Sequence, residues 1–379
     1  MKILVTSHFP LSGCGSGSYV RDLVHHLPKS ASDLALIGLV GDSALRTNAQ
    51  VFRLSAHQIV RDGFPVFTFH DKGGRTFELL SDEEIASYFR LLCDGLDEAI
   101  HKFRPDTIHV NHFWLFAAAA LRSGLPFVIT VHGSELAYLL MPRWRECLSI
   151  ACSSESMIIA NSNFTAQKLV EALPSLRARI RVLPFGPSIK SVKKPTAGSK
   201  TSPAQPTVLY CGKLTAMKRV DTLIRAAEIY ESQAEGIRTV ICGDGPEAVR
   251  LRSMAIEENL EGVSFLGTLP AEGIRDLMRR ASVYVSPCPE EGLGLAALEA
   301  CSQGTPVIAA AGGAHLESIT NDVGCLFRPS DHEALAEAVL EAVREDWKSK
   351  LGDNCCQLIL MRFNLESHVS GLMHLYPPG

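Results

Sequence analysis

The chain has 379 residues, enough for two domains of ordinary size. Hydrophobic residues make up 46% and charged residues 21%, which excludes a wholly disordered chain or a repetitive fibre. A net charge of −4 argues against a dedicated nucleic-acid binder, which is usually basic. The 11 cysteines are scattered, with only Cys355 and Cys356 adjacent and no C-x-x-C pair. Neither a disulfide framework nor a zinc site has the right spacing, so a reducing, cytoplasmic compartment is expected.

The first apolar run, Ile3–Val5, is too short for a signal-peptide core and no small-residue cleavage site follows it. The stretch Phe113–Leu121 falls well short of the ~20 residues that span a bilayer. Strands are expected at Lys2–Thr6, Leu34–Leu39, Thr107–Val110, Phe127–Val131, Met157–Ala160 and Arg181–Leu183. Helix-like segments, Ser18–Leu27 and Asp82–Phe103 among them, lie between several of these. This is βαβ alternation, and the unbroken hydrophobicity of ILV, FVITV and MIIA suits strands covered on both faces.

Pro187–Pro206 then carries four prolines, four lysines and almost no large apolar side chain. It reads as a flexible linker, or else as a long surface loop within one domain. Beyond it, strands are expected at Thr207–Cys211, Thr239–Cys242, Ser264–Leu266, Val283–Ser286 and Pro306–Ala310. Helices are expected at Asp221–Ser232, Pro246–Asn259, Ala271–Ala281, Gly294–Gln303 and Asp331–Arg344. The resulting division is a first α/β domain over 1–186, a linker over 187–206, a second α/β domain over 207–360 and a terminal segment over 361–379. Two such domains imply a cleft, with ligands beyond the carboxyl ends of the strands.

Six strand-end loops carry candidate chemistry. Leu11–Ser18 (LSGCGSGS) places Gly13, Gly15, Ser16 and Gly17 before a helix, where a backbone can approach an anion. The spacing departs from G-x-G-x-x-G, so the loop is open to three readings: a ligand-facing turn, a dinucleotide site with Asp42 as its ribose acid, or a structural turn. Val131–Glu135 (VHGSE) puts His132 at a strand end, a position open to a structural reading as well. In Cys211–Ala226, Lys213, Lys218 and Arg219 gather around a strand-to-helix turn after Gly212, an arrangement suited to a diphosphate or to plain solvation. In Ser286–Ala310, Glu291 precedes Gly292, Leu293, Gly294 and Leu295 at a helix start, and Glu299 follows two turns on. Helix amides meeting an anion between two carboxylates suit a molecule with a phosphate centre and hydroxyls at both ends, such as a nucleotide sugar. The competing reading is an acid that merely complements the helix dipole. Gly243 and Gly245 in ICGDGPE, and Leu266 and Gly267 in SFLGTLP, sit at matching turns that either read a nucleobase through backbone groups or simply turn the chain.

Taken in order, GKLTAMK, GDGPE, FLG, EGLGLAALEA, GTPVIA and GGAHLESI resemble the pattern of the retaining glycosyltransferases of GT-B family 4. The resemblance covers nearly the whole chain and is most specific over Val208–Pro329. It implies two Rossmann-like domains facing each other across a cleft, and transfer of a hexose or N-acetylhexosamine from a nucleotide sugar, UDP-linked by family frequency, to an acceptor hydroxyl. It implies that His132 faces the donor sugar, and that Lys213 and Lys218 neutralise the diphosphate. It also implies that Glu291 holds sugar hydroxyls, that the amides of Gly292–Leu295 meet sugar and phosphate, and that Glu299 binds the ribose. Gly15 and its neighbours would approach the donor phosphates or the acceptor. The chain contains no D-x-D pair, in keeping with metal-independent transfer, and the resemblance implies no cofactor beyond the co-substrate. Lys213 stands where the family usually has Arg, Arg219 for Gly, Leu293 for Phe and Leu316 for Pro, which weakens transfer of donor preference. The terminal segment resembles the family's helix returning to the first domain.

Residues 1–185 hold 18 Lys and Arg against 17 Asp and Glu, so the acceptor domain is not plainly basic and a soluble acceptor is favoured over a membrane surface. Arg143 and Arg145 would suit an anionic acceptor or a solvated helix start. The competing functions are a nucleotide-sugar epimerase on the same fold, an NAD-dependent oxidoreductase built on the first glycine turn, and a sensor that binds donor without turnover.

Overall fold

The computed structural model describes residues 1–9, 11, 15–27, 33–38, 49–54, 65–67, 74–139, 141, 156–192 and 205–377. The chain forms two compact units, one of Met1–Pro184 with Leu365–Gly379 and one of Phe185–Asn364. Gly13, Asp42, Arg143, Arg145 and most of the 187–206 segment lie outside the described residues.

The first unit is a parallel sheet of β1 (Ile3–Ser7), β2 (Leu34–Gly38), β3 (Gln50–Arg53), β4 (Thr107–Asn111), β5 (Phe127–Val131), β6 (Met157–Ala160) and β7 (Ile180–Val182), in the order 3-2-1-4-5-6-7. Its described helices before the domain crossing are α1 (Gly15–His26), α2 (Asp82–Phe103), α3 (Leu115–Ser123), α4 (Leu136–Leu139) and α5 (Asn163–Ala172). Every residue of β1, β2, β4 and β5 is buried, which is why these strands read as unbroken apolar runs. β3 escapes that reading because it is an edge strand with Gln50 and Arg53 exposed. α2 starts with a capping box in which Ser81 and Glu84 each bond the other's backbone N–H. α1 begins at Gly15, so Gly15, Ser16 and Gly17 form its first turn rather than a loop ahead of Ser18.

The second unit is a parallel sheet of β8 (Thr207–Cys211), β9 (Arg238–Cys242), β10 (Val263–Gly267), β11 (Val283–Ser286), β12 (Val307–Ala310) and β13 (Gly324–Phe327), in the order 10-9-8-11-12-13. With it go α6 (Val220–Gln233), α7 (Ala248–Glu257), α8 (Ala271–Arg280), α9 (Leu295–Ser302), α10 (His315–Ser318), α11 (His332–Arg344) and α12 (Trp347–Arg362). Val208, Ile241, Val285 and Ile308 from the sheet pack with Leu223 of α6 and Leu335 of α11. Each sheet grows outward in both directions from its first strand, so strand order reverses between β1 and β4, and again between β8 and β11. Those reversals leave a crevice at the strand carboxyl ends where α/β sheets hold ligands.

The handovers between units differ from the expected boundaries at 186 and 361. The second unit already includes Phe185 and Gly186, because Gly186 packs so closely on the Phe363 carbonyl that a side chain would collide with it. Pro187–Val192 also belong to that unit, and the Ser191 carbonyl accepts a hydrogen bond from Gln303 Nε2 at 3.0 Å. At the other end α12 runs to Arg362, and the chain re-enters the first unit only at α13 (Leu365–Leu375). No helix among the described residues is long and apolar enough to cross a membrane.

α13 is tied into the first unit by buried histidines. His368 Nδ1 faces the carbonyl oxygens of Leu183 and Pro184 at 3.1 and 3.2 Å, so it carries the proton. Nε2 then accepts from the Tyr19 hydroxyl at 2.7 Å. His109 pairs with Tyr376 Oη at 2.6 Å and Thr130 Oγ1 at 2.9 Å. Burial pushes His368 down to about 4, and burial with the neighbouring His368 pushes His109 down to about 3. Both stay neutral in the folded protein where the unfolded chain takes up protons, below a pH of about 6.5. Stability is therefore complete above that pH and falls as pH drops towards the folded values, by about 1.4 kcal/mol per pH unit for each histidine. Urea unfolding followed by intrinsic fluorescence should show a less stable protein at pH 5 than at pH 6.5, and His368→Gln should flatten that dependence. Equal pH dependence in the variant would remove His368 from this account.

Candidate active site

In the second unit the strand-end turns are bonded to one another through backbone. Gly212 N–H donates to the Cys242 carbonyl at 3.0 Å, Leu214 N–H to the Asp244 carbonyl at 2.9 Å, and Gly243 N–H to the Gly267 carbonyl at 2.8 Å. A β-carbon at Gly243 would collide with the Gly212 carbonyl oxygen, and one at Gly245 with that of Leu214. The turns after β8, β9 and β10 thus form one backbone surface, at whose edge Leu266 is 45% exposed. The Lys213 carbonyl accepts from the Tyr210 hydroxyl at 2.9 Å. A single 3₁₀ turn, Ala216–Lys218, then leads into α6.

Across the strand reversal, the loop after β11 carries Glu291. Gly312 and Gly313 hold it from the turn after β12, where side chains would strike the carbonyls of Pro289 and Glu291, while Ala314 N–H donates to the Glu291 carbonyl at 2.8 Å. Gly294, at φ 75°, then turns the chain into α9. The Lys218 ammonium is hydrogen-bonded to Glu291 Oε1, with both side chains about one-fifth exposed. Burial is the largest single influence and works against both charges, but the partner's charge and hydrogen bond, together with Cys288, outweigh it. Lys218 is held above the ordinary lysine range, and Glu291 below the usual carboxylate range with further help from His315.

The expected residues are brought together unevenly. Lys218 and Glu291 meet, and Gly292, Leu293, Gly294 and Leu295 lead directly from Glu291 into α9. Glu299 lies just over one turn along that helix, within electrostatic reach of Cys211 in β8. Cys242, burial and then Glu299 together keep the Cys211 thiol protonated. Arg219 is not directed at this pair, since its Nη1 donates to Ser330 Oγ at 2.8 Å and its Nε lies 3.4 Å from Asp221. His315 was not anticipated. It is wholly buried, its ring meets the Ala310 backbone, and a β-carbon on Gly294 would sit 3.0 Å from its Nε2. Burial lowers its pKa and Glu291 opposes that. Its only sequence signal is a polar side chain just after the Gly312–Gly313 turn.

In the first unit, His132 follows β5. Its N–H donates to Glu135 Oε1 and its carbonyl accepts from Asn161 Nδ2, both at 3.1 Å. Tyr19 of α1 packs its ring edge-on to His132 with centroids 4.9 Å apart, so the turn Gly15–Gly17 opens the same helix that touches this histidine. Glu135 is completely buried, 3.2 Å from His112 Nδ1. Burial alone would raise its pKa, but His112 overrides that and holds it at about 2. His8, His112 and His132 each follow a strand, β1, β4 and β5, so neighbouring carboxyl ends place them side by side. Only His132 stood out in the sequence, because the other two lack a following glycine.

Two family models match consecutive parts of the chain: Glycosyltransferase Family 4 over residues 14–188 and Glycosyl transferases group 1 over residues 195–355. The chain is 30% identical to the 2-deoxystreptamine N-acetyl-D-glucosaminyltransferase of Streptomyces fradiae over 64% of each sequence. It is 28% identical to the D-inositol 3-phosphate glycosyltransferase of Acidothermus cellulolyticus over 72% of this chain and 66% of that one. The alignments thus span 64% and 66% of the length of these relatives. A structure of HepE from Anabaena with UDP and glucose superposes with a TM-score of 0.77 at 19% identity, covering 99% of this chain and 98% of that one. With the two models together accounting for both sheets and their strand-end loops, the chain belongs to the family 4, group 1 glycosyltransferases and has their GT-B fold.

Proposed function

We propose that this protein moves a hexose or N-acetylhexosamine from a nucleoside diphosphate sugar, with UDP as the first choice, to a hydroxyl of a soluble small molecule or glycan. Transfer proceeds with retention and without a metal ion. The observation that carries this reading is the Lys218–Glu291 pair, held where strand order reverses and directly ahead of the α9 N-terminus. A cation, a carboxylate and helix-start amides are the three groups that a sugar diphosphate needs. The ammonium meets the phosphate, the amides meet phosphate and sugar oxygens, and the carboxylate accepts from sugar hydroxyls. Glu299 is the candidate partner of the ribose diol, and the exposed Leu266 offers an apolar surface to the base. HepE was solved with UDP and glucose, which supports UDP as the first donor to test. The aminocyclitol and inositol phosphate in the names of two relatives support a small polyol acceptor.

In the reaction the acceptor oxygen forms a bond to the anomeric carbon as the bond from that carbon to the diphosphate breaks. The acceptor proton passes to the leaving phosphate oxygen, so no separate base is assigned. Lys213 and Lys218 supply the positive charge that stabilises the departing diphosphate. His132 faces the sugar near the reacting carbon. Because Lys218 and Glu291 neutralise each other before the donor binds, donor binding replaces one buried pair by two charged contacts rather than exposing an unpaired charge.

A ligand that binds only the folded protein raises its melting temperature, by an amount equivalent to about 2.7 kcal/mol at a concentration of 100 times Kd. Among UDP-, GDP-, ADP-, dTDP- and CDP-sugars and NAD, a UDP-sugar should give the largest shift. A response to NAD alone would overturn the assignment. Lys218→Ala and Glu291→Gln should each lower transfer by about 10²–10³-fold while the protein remains folded by circular dichroism. Full activity in both variants would remove the pair from the mechanism. Proton NMR of the first product should show the donor's anomeric configuration, and dialysis against EDTA should leave the rate unchanged; an inverted product or a chelator-sensitive rate would contradict those parts of the proposal.

A further inference from the structure

Asn111, the last residue of β4, is completely buried between two groups that leave its amide one orientation. Its Nδ2 lies 2.9 Å from the backbone carbonyl oxygen of Thr6 in the neighbouring β1, and only the NH₂ end of an amide can face a carbonyl. The Asn111 backbone N–H is fixed from the same residue, donating to Thr6 Oγ1 at 3.1 Å. Oδ1 therefore points the other way, to His132 Nε2 at 3.1 Å. An amide oxygen has no proton to give, so the proton in this bond belongs to Nε2. A neutral imidazole protonated there has its lone pair on Nδ1.

We infer that Asn111 is a positioning residue for His132: anchored on the Thr6 carbonyl, it fixes the imidazole as the neutral Nε2–H tautomer, so that Nδ1 can act only as a hydrogen-bond acceptor towards whatever group it meets. The role of His132 at the sugar rests on the transfer reading above; the tautomer does not. The ring has little freedom to escape this assignment. Its backbone is pinned on both sides by Glu135 and Asn161, and the rings of Tyr19 and His112 pack against it with centroids 4.9 and 4.7 Å away. Among the described residues, the titratable groups around it are His112 from the end of β4, Glu135 ahead of α4, His109 within β4, His368 of α13 and Tyr19 of α1. Glu135 is the sole anion among these, and its oxygens are occupied by His112 Nδ1 at 3.2 Å and by the amides of His132 and Phe113. Burial, then His112, keep His132 neutral well below its ordinary pKa.

The chemical consequence concerns substrate class. An acceptor nitrogen favours a group bearing O–H, such as a sugar hydroxyl. It repels a carboxylate or phosphate oxygen, because lone pairs would face lone pairs. An imidazolium would reverse that preference.

Nitrogen-15 NMR of protein labelled at histidine reads the tautomer directly, with the His132 signals among the 13 histidines assigned by their loss in His132→Gln. The wild-type protein should show His132 as a single Nε2–H tautomer, neutral throughout the accessible acid range. Asn111→Asp places a carboxylate against the ring and should raise the His132 pKa by about 1–3 pH units relative to wild type. The acid limb of kcat should move to higher pH by the same amount, a change that simple loss of packing does not produce. A wild-type Nδ1–H signature, a tautomer mixture, or a folded Asn111→Asp protein with an unshifted titration would overturn the inference. Should the aspartate variant fail to fold, the wild-type spectrum still decides. If no donor sugar is turned over at all, the transfer reading fails while the nitrogen shifts still report on Asn111.

Discussion

Backbone-on-backbone contact at the strand ends is the constraint on which the second unit's loops depend. Gly243 against Gly212, Gly245 against Leu214, and Gly312 and Gly313 against Pro289 and Glu291 bring carbonyls and amides closer than any side chain permits. Loops joined in this way cannot drift independently, so Lys213, Lys218 and Glu291 inherit fixed starting points from a parallel sheet. Under the proposed transfer, such preorganised charge is the larger part of what the loops would offer to a departing diphosphate. A methyl group at Gly243 or Gly312 would separate the loops without touching a single charged residue.

The two units treat buried charge differently, and the difference follows from what each charge must do. Glu135 has no exposure and is satisfied by His112 and two backbone amides, so it organises the loops after β4 and β5 rather than meeting a ligand. Removing one partner of such a pair leaves an uncompensated charge, a loss of about 3–5 kcal/mol. Glu291 and Lys218 instead keep about a fifth of their surface open to solvent. They can exchange each other for a substrate without a desolvated intermediate state. Closed pairing suits a scaffold and open pairing suits a binding group.

Much of the fold was legible in the sequence because its central strands are buried on both faces and read as continuous apolar runs, as at Phe127–Val131 and Val283–Ser286. Helix α2 was legible to the residue because Ser81 and Glu84 encode its start. The edge strand β3 was not, since half of it faces solvent. α12 was missed because the run Leu358–Met361 puts apolar residues all round it, while its buried face of Gly352, Cys355, Cys356 and Ile359 holds only one aliphatic side chain. The crossing points were displaced for a similar reason, as Gly186 lies against the Phe363 carbonyl and the Asn364 side-chain amide donates to the Leu360 carbonyl, single contacts that leave no compositional trace.

The site divides along the same line. Lys218, Glu291 and the Gly292–Leu295 turn were visible because their order along one stretch carries the chemistry. Asn111, Glu135 and His112 were not, because what makes them matter is lateral. β4 lies between β1 and β5, so Asn111 reaches Thr6 on one side and the residue after Val131 on the other. An asparagine within an apolar strand has no chemical direction until its neighbours are known; between a carbonyl and an imidazole it has one. His315 belongs with these. Its buried ring meets the Ala310 backbone at the end of β12 and lies close behind Gly294. From there it lies within electrostatic reach of both Glu291 and Lys218, a proximity that only the folded sheet creates.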